Sequence, residues 1–329
     1  MKKTALSAVL FVAAAASIGA AAQETTVRVN VFPGSQNLPI FTGLERGVFA
    51  KHGLKIELQN TPNSQEQRSG LAEGKFEIAH GAVDNAVAMV EAAGRDVVIV
   101  MGGDASMNEF MVRPEIGGFA DIRGKVVAVD APNTAYALVA KKILKNNGLI
   151  EGRDYTVRPV GGTAQRSAAM ASNPELVAGS VNLPFSITVR EKGLKSLGRS
   201  RDLIGAYQAT GAFVMRPWAQ ANADVLERYI AAYVESARIA MDPANRAAGA
   251  TALATRFKLD PKVAAETIEQ LMIPGFGLAP DARFDMDGFR TVLALRAEIE
   301  GQWGGKPPGP EKYVDLGYYE RALKRPGAN

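Results

Sequence analysis

Hydrophobic and polar positions follow two periods over the first third of the chain. Apolar side chains at 27, 29 and 31 alternate with polar ones, which predicts a half-buried strand. Apolar residues at 40, 44 and 48 then recur every four positions, which predicts a helix ending at His52-Gly53. Further strands are predicted at 54–58, 76–79 and 97–101, with helices ending near 74 and covering 86–93. This alternation of strands and helices is typical of a sheet covered by helices.

The same rhythm starts again after Arg113. Strands are predicted at 126–129, 155–160 and 181–183, and helices at 134–147 and from 165 onwards. A strand returns at 213–216, and the pattern then becomes helical, with helices at 243–257, 261–271 and 288–301 and a short one within 313–323. The fold class predicted is therefore α/β, in two units followed by extra C-terminal helices.

The first residues have the features of an export signal. Lys2 and Lys3 precede an apolar stretch at 6–18, and Ala20-Ala21-Ala22 fits the small-residue cleavage rule. A membrane anchor is the alternative, but the stretch falls short of the roughly 20 residues that span a bilayer. We therefore expect residues 1–22 to be a cleaved signal peptide. No later segment reaches spanning length, so we expect no stable membrane insertion and, without a cysteine for a lipid anchor, a periplasmic protein.

Composition excludes several classes of site. The 329 residues contain no cysteine and only two histidines, so disulfides, thiolate metal sites and histidine-rich metal sites are excluded. The net charge of +4 is too small to indicate nucleic-acid binding. Phosphate-loop, dinucleotide and nucleophile-elbow motifs are absent. His80 is a weak site candidate, and Asp104 and Glu109 are expected to be solvated loop residues. We expect neither catalysis nor a metal or other cofactor.

Polar loops that follow predicted strands are the best candidates for a binding site. Ligands of open α/β sheets sit at the carboxyl ends of strands, against helix N-termini. The asparagines of these loops are alternatively plain helix caps. The predicted ligand-binding residues are Ser35, Gln36, Asn37, Asp84, Asn85, Asn133, Thr134, Gly162, Thr163, Asn182 and Phe185.

These loops indicate the ligand only in outline. They are rich in amides and hydroxyls, and Arg166 is the nearest basic residue. Asp84 and Glu109 disfavour a strongly anionic ligand and suit one with N–H or O–H donors. Phe32, Tyr136 and Phe185 are candidates to stack on a ring, although core packing is the alternative. We expect a small organic molecule with a ring or amide-like edge, and sulfonates and aromatic carboxylates stay open.

A series of short motifs resembles one protein family. The sequences GVFAKHGL at 47–54, LAEGKFEIA at 71–79 and DIRGKVVAV at 121–129 occur in the order seen in nitrate/sulfonate/taurine-type substrate-binding proteins of ABC transporters. NLPF at 182–185 also falls in family order. The superfamily includes binding proteins for thiamine-pyrimidine precursors. The usual Gly-x-x-Asp-Ala step before the last loop is replaced by NPELVA at 173–178.

The resemblance implies a two-domain periplasmic-binding-protein fold of type II. Domain one would comprise residues 23–114 and 213–329, and domain two residues 115–212, with crossover strands near 110–113 and 213–216. Such a protein closes by a hinge around a small organic ligand and delivers it to an ABC permease and its ATPase; we expect a monomer. One alternative is an exported sensor that feeds a receptor. The other is a thiamine-pyrimidine-synthesis-type enzyme, which the absence of cysteine disfavours.

Overall fold

The computed structural model of the chain describes residues 24–325, and the signal peptide predicted at 1–22 lies outside them. The strands are β1 (Thr25–Val31), β2 (Leu54–Asn60), β3 (Ile78–Ala82), β4 (Val97–Asp104), β5 (Asn108–Val112), β6 (Val126–Val129), β7 (Thr156–Pro159), β8 (Leu176–Asn182), β9 (Lys195–Arg199) and β10 (Thr210–Met215). The helices are α1 (Leu38–Glu45), α2 (Val48–Lys51), α3 (Ser64–Ala72), α4 (Asp84–Ala93), α5 (Ala135–Asn146), α6 (Thr163–Ser172), α7 (Phe185–Glu191), α8 (Ser200–Ile204), α9 (Arg216–Ala221), α10 (Ala223–Met241), α11 (Arg246–Phe257), α12 (Pro261–Leu271), α13 (Met286–Glu300) and α14 (Gly317–Ala322).

The strands form two five-stranded sheets of the same design. The first sheet has the order β2-β1-β3-β10-β4, and the second has the order β7-β6-β8-β5-β9. In the first sheet Val29 pairs with Leu58 and Ile78 in parallel, and β10 runs antiparallel to both its neighbours. In the second sheet β5 is the antiparallel strand. Each sheet therefore contains one antiparallel strand, which is the fourth in the strand order.

The chain passes between the two sheets twice. It leaves the first sheet through residues 105–107, after β4, and returns through residues 200–209, before β10. Sheet membership places all of β5 with the second sheet and all of β10 with the first. The predicted domain division at 114/115 and 212/213 would leave β5 in domain one and divide β10 between the two domains, and it stays a prediction.

The helix α13 ties the two halves together. Its residues Phe289 and Val292 share one buried cluster with Val127 and Leu138 of the second half. On the surface beside that cluster, Glu298 of α13 binds Lys142 of α5, with 2.7 Å between the oxygen and nitrogen atoms. The C-terminal helices therefore pack against both sheets rather than forming a separate unit.

Most predicted elements exist, and the corrections have local causes. The strand predicted at 181–183 is the longer, wholly buried β8, because Gly179 and Ser180 interrupt its apolar pattern without ending it. The strand predicted at 76–79 begins later, at Ile78. The prediction missed α7 and β9, and every residue of β9 is only half-buried, so its pattern lacks contrast.

Candidate ligand-binding cleft

A cavity lies between the two sheets, at the ends of their strands. The first half of the chain contributes Phe32, Gln36, Asn37, Ser64 and His80, and the C-terminal part adds Thr210 and Tyr233. The second half contributes Asp130, Thr134, Tyr136, Gly162, Thr163, Arg166 and Asn182.

The helices α5 and α6 both begin at the cavity wall, and neither has a side-chain cap. Gly162, which precedes α6, has no side chain, and Thr134, which precedes α5, donates its hydroxyl to the carbonyl oxygen of Ala131 at 2.9 Å. Neither helix has an acidic residue in its first turn. The N–H groups and positive dipole ends of both helices are therefore uncompensated by side chains, which favours an anion at this wall.

Arg166 brings a buried positive charge to the same wall. Its side chain is 1% exposed, and its Nε and Nη1 donate to the carbonyl oxygens of Ser180 and Gly161 at 2.8 and 3.0 Å. Its Nη2 donates to the hydroxyl of Thr163 at 2.9 Å. Burial lowers the pKa of Arg166 to about 10, and the nearby Asp130 carboxylate acts in the opposite direction. A guanidinium has five N–H donors, so these bonds leave donors for a ligand.

No carboxylate of residues 24–325 forms an ion pair with Arg166 at salt-bridge distance. Asp130 is the acid whose charge acts on Arg166. Its carboxylate is bound to Ser64 instead, whose hydroxyl lies 2.5 Å away. Buried charges in proteins are as a rule paired. The wall at Arg166 is therefore suited to bind an anionic group, which would pair the guanidinium charge.

Aromatic rings form the opposite wall. His80 Nε2 lies 2.8 Å from the Tyr229 hydroxyl, and its ring stacks on Tyr233 with 5.0 Å between centroids. Burial lowers the pKa of His80 to about 3, so the imidazole is neutral at physiological pH. Phe32 and Tyr136 also line the cavity, which therefore offers ring faces to the apolar body of an organic ligand.

Hydrogen bonds cross the cleft between the two halves. Asp130 accepts from the hydroxyl of Ser64, as noted, and also from the backbone N–H of that residue at 3.3 Å. The backbone N–H of Gly162 donates to the carbonyl oxygen of Pro62 at 2.9 Å, and that of Ser35 to Leu183 at 3.2 Å. These bonds hold the halves in a closed arrangement around the cavity.

Several of the predicted site residues come together in this wall, and two of them carry unpaired atoms. Asn182 is 6% exposed and its amide oxygen has no hydrogen-bond partner among the described residues. The amide oxygen of Gln36 is also buried without a partner there. The predicted residues in the cavity wall are Gln36, Asn37, Thr134, Gly162, Thr163 and Asn182.

Asp84 and Asn133 were predicted to line the site and do not. The carboxylate of Asp84 forms a buried ion pair with Arg296, with 2.5 Å between Oδ1 and Nε. The same guanidinium reaches the carbonyl oxygen of Asn133 at 3.4 Å, and the Asn133 side chain is exposed outside the cavity. Both residues therefore belong to the contact between α4, α13 and the loop before α5.

Ser35, Asn85 and Phe185 also lie outside the wall. The hydroxyl of Ser35 is buried behind it without a hydrogen-bond partner in the described part of the chain. The amide of Asn85 points at Gln67, with 3.4 Å between Nδ2 and Oε1. Phe185 packs edge-on against Phe257 at 6.2 Å between centroids, so its ring belongs to the helix packing.

The acidic residues expected in solvated loops are buried instead. Asp104 is 2% exposed at the end of β4, where it accepts from the Thr210 hydroxyl and from the backbone N–H of Ser106. Burial raises its pKa. Glu109 is 8% exposed and does not line the cavity. The expectation failed because the apolar run of β4 continues through Gly102-Gly103 into Asp104.

Sequence reasoning missed Ser64, Asp130 and Tyr233. Asp130 directly follows the strand β6, so the rule that selected the other loops would have found it. Tyr233 lies in the middle of α10, where its spacing is that of a core residue. Only the tertiary packing of α10 against the first sheet brings Tyr233 to the cavity.

Two general findings limit the kind of site. Residues 24–325 hold no cluster of three or more histidine or acidic side chains arranged to bind a metal ion. Over the same residues, no helix combines the length and the apolar character needed to cross a membrane.

Solved structures share this architecture. The nitrate-binding protein NrtA of Synechocystis matches with a TM-score of 0.76 and 14% identity, covering 92% of this chain and 89% of that chain. The alkanesulfonate-binding protein SsuA of Xanthomonas axonopodis, solved with MOPS bound, matches with a TM-score of 0.69 and 16% identity over 85% and 94%. A ligand-binding component of an ABC-type import system from Staphylococcus aureus, with zinc bound, gives 0.75 and 15% over 92% and 100%.

At these identities the likeness concerns the fold, and the predicted fold of periplasmic binding proteins is confirmed. No curated protein sequence matches this chain significantly. The sequence model described as NMT1/THI5 like matches residues 35–246, which include β2 to β10 and most of the cavity wall. The chain therefore belongs to the NMT1/THI5-like family, in agreement with the resemblance seen in its motifs.

Proposed function

We propose that this chain is the exported, periplasmic substrate-binding component of an ABC importer, and that it carries out no catalysis. In this proposal the cavity captures a small organic ligand, and the closed protein delivers that ligand to a membrane permease. The fold supports the proposal, since solved proteins of this architecture are named as ligand-binding components of import systems and as nitrate- and sulfonate-binding proteins.

The observation that carries the choice of ligand is the wall formed by Arg166 and the starts of α5 and α6. A carboxylate or sulfonate placed there would face two helix N-termini and a buried guanidinium with free donors. The argument from sequence against an anion relied on Asp84 and Glu109. Arg296 neutralises Asp84, and Glu109 does not face the cavity. We therefore infer a small organic anion.

The rest of the wall suits an apolar body with a polar edge. Phe32, Tyr136 and Tyr233 offer ring faces, and the unpaired amide oxygen of Asn182 offers an acceptor for an N–H or O–H group. An aromatic carboxylate or sulfonate satisfies both ends of the cavity. Inorganic anions would leave the aromatic part of the cavity unfilled.

Hinge closure follows from how the halves are joined. The two short segments 105–107 and 200–209 connect the sheets along the described part of the chain, and Ser64, Gly162 and Ser35 form hydrogen bonds across the cleft. An opening at these contacts would expose the wall of Arg166 to solvent. A ligand bound to both halves would then favour the closed form.

The binding step is tested with three matched probes. We expect 4-fluorobenzoate and 4-fluorobenzenesulfonate to raise the melting temperature of the purified protein, and the neutral 4-fluorobenzamide not to do so, because the amide carries no negative charge to pair with Arg166. Titration calorimetry then gives the dissociation constants. Preference for the amide over both anions would refute the assignment of an anionic ligand.

The role of Arg166 is tested by substitution. Arg166→Gln should weaken the binding of 4-fluorobenzoate about ten- to a hundredfold, since removing one buried charged partner costs about 1.5–3 kcal/mol. Arg166→Lys keeps the charge and should lose less. Arg158→Gln is the matched control, because Arg158 is an exposed residue bound to Glu175. Folding of each variant is checked by circular dichroism, and equal affinity in folded Arg166→Gln would contradict the proposed site.

Delivery to a permease is tested separately. Deletion of the gene should abolish uptake of the labelled ligand, and wild-type chain should restore uptake. Uptake that persists without the chain, together with loss of a transcriptional response to the ligand, would instead identify a sensor.

A further inference from the structure

A second hollow, here called the outer groove, lies beside the cavity on the outside of the closed cleft. It is formed by α3, α4, the loop before α5 and the end of α13, and its lining includes Arg68, Met89, Asn133, Arg296 and Gln302. Its floor is made largely of alanine side chains of α3 and α4. The outer groove therefore runs along the seam between the two halves of the chain.

One thin wall separates the outer groove from the cavity. On α3, Ser64 faces the cavity, whereas Arg68 one turn later faces the groove. On the loop before α5, Asn133 faces the groove and Thr134 the cavity. The contact that closes this wall is the 2.5 Å hydrogen bond from Ser64 to Asp130. An opening at that contact would join the outer groove to the cavity.

The free charges of the outer groove are positive. Arg296 is neutralised by Asp84, and Glu73 is bound to Lys75 with 2.8 Å between the charged atoms. Glu300 lies 3.5 Å from Lys141. Arg68 and Arg95, by contrast, have no ion-pair partner among residues 24–325. A groove with paired acids and unpaired guanidinium groups attracts anions.

Arg68 differs from Arg95 in its depth. Arg95 is exposed, whereas Arg68 is half-buried, and the charges of Asp84 and Asp130 act on it although neither carboxylate forms an ion pair with it. Burial and the Arg296 charge lower the pKa of Arg68, and the two carboxylates raise it. A desolvated guanidinium without a bonded partner binds an incoming carboxylate or sulfonate more strongly than an exposed one.

We propose that the outer groove is an anion-capture subsite, in which Arg68 binds the anionic group of the ligand before the ligand passes the Ser64–Asp130 contact into the cavity. This inference rests on the proposed function, because it concerns how the same ligand reaches the cavity. Arg68 is a positioning residue here, and it does not line the closed cavity.

A capture subsite on the entry path acts on the rates of binding and release, and not on the affinity of the closed form. Steering by charge raises association rates and weakens as salt screens it. Arg68→Gln should therefore lower the association rate constant of 4-fluorobenzoate about three- to tenfold at about 10 mM salt, and less than about twofold at about 1 M salt. The equilibrium dissociation constant should stay nearly the same, since Arg68 does not touch the ligand in the closed form. The dissociation rate constant should therefore fall by about the same factor as the association rate constant.

The measurement is the ¹⁹F line shape of 4-fluorobenzoate titrated with protein, which gives both rate constants from one series. Arg68→Lys keeps the charge and should retain most of the association rate. Arg46→Gln is the matched control, because it removes one arginine charge from an exposed position that lines neither the groove nor the cavity. Melting temperatures establish that the variants are folded.

The outcomes separate the two proposals. A wild-type protein that binds no anionic probe refutes the proposed function and this inference with it. Binding by wild type with an unchanged association rate in Arg68→Gln refutes the inference alone. A slower association in Arg46→Gln of equal size also refutes it, because the effect would then come from net charge rather than from the groove.

Discussion

His80 couples the stability of the fold to pH. Its imidazole is 7% exposed, is bonded to Tyr229 and stacks on Tyr233, and burial lowers its pKa to about 3 from the ordinary 6.5. Above pH 6.5 the imidazole is neutral in both the folded and the unfolded chain. Below it, the unfolded chain binds a proton that the folded chain does not. The free energy of unfolding therefore decreases as pH falls from 6.5 toward 3.

The magnitude follows from the two pKa values. Each pH unit below 6.5 removes about 1.4 kcal/mol, so the loss due to His80 is about 2 kcal/mol at pH 5. Carboxylates of the chain titrate in the same range, and their contribution cancels when wild type is compared with a variant that lacks only the imidazole. His80→Gln is that variant, because its amide keeps a polar partner for Tyr229 and does not titrate.

The assay is urea denaturation followed by circular dichroism, between about pH 7.5 and about pH 5, in buffer free of organic acids. We expect the stability of His80→Gln to decline less over this range, by about 2 kcal/mol. His80→Asn, which also cannot titrate, should give the same flatter profile. If the wild-type and variant profiles run parallel, the imidazole is charged in the folded protein and the reasoning is wrong.

Two further substitutions test the packing around the site. Arg296→Met should lower the free energy of unfolding by about 3–5 kcal/mol in urea denaturation, because it leaves the Asp84 carboxylate buried without its cation. A loss below about 1 kcal/mol would contradict this expectation. Gly277→Ala should cost about 1–3 kcal/mol, since a Cβ there would lie 1.9 Å from the backbone oxygen of Leu271. Gly118→Ala, where a Cβ meets open space, is the control and should leave the melting temperature unchanged.

Local periodicity was sufficient for most of the fold. Alternation predicted β1, because every second side chain from Val27 to Val31 is fully buried against neighbouring strands and helices. The same reasoning failed for β9, whose residues are all half-buried, and for α7, where Ile187, Thr188 and Val189 are β-branched residues that favour strands. A hydrophobic pattern is visible only where buried and exposed side chains alternate, so elements without that alternation are missed.

The candidate site was predictable to the extent that it depends on strand ends. Thr134, Gly162, Thr163 and Asn182 were placed correctly at the ends of parallel strands or the starts of the helices that follow. Residues that reach the cavity from the middle of a helix, as Tyr233 does, follow no such rule. Their place depends on how distant parts of the chain pack.

The proposed charge of the ligand shows why distant packing matters more than local sequence at this site. Read locally, Asp84 is an unpaired acid in a candidate loop and disfavours an anion. In the fold its partner, Arg296, is 212 residues further along the chain, and the pair is buried away from the cavity. Arg166 is the opposite case. In the sequence it is a lone arginine near amide-rich loops, and in the fold it is the buried cation of the cavity wall. Pairing one charge and leaving the other without a carboxylate removes the sequence argument against a strongly anionic ligand, and no property of either loop alone contains that information.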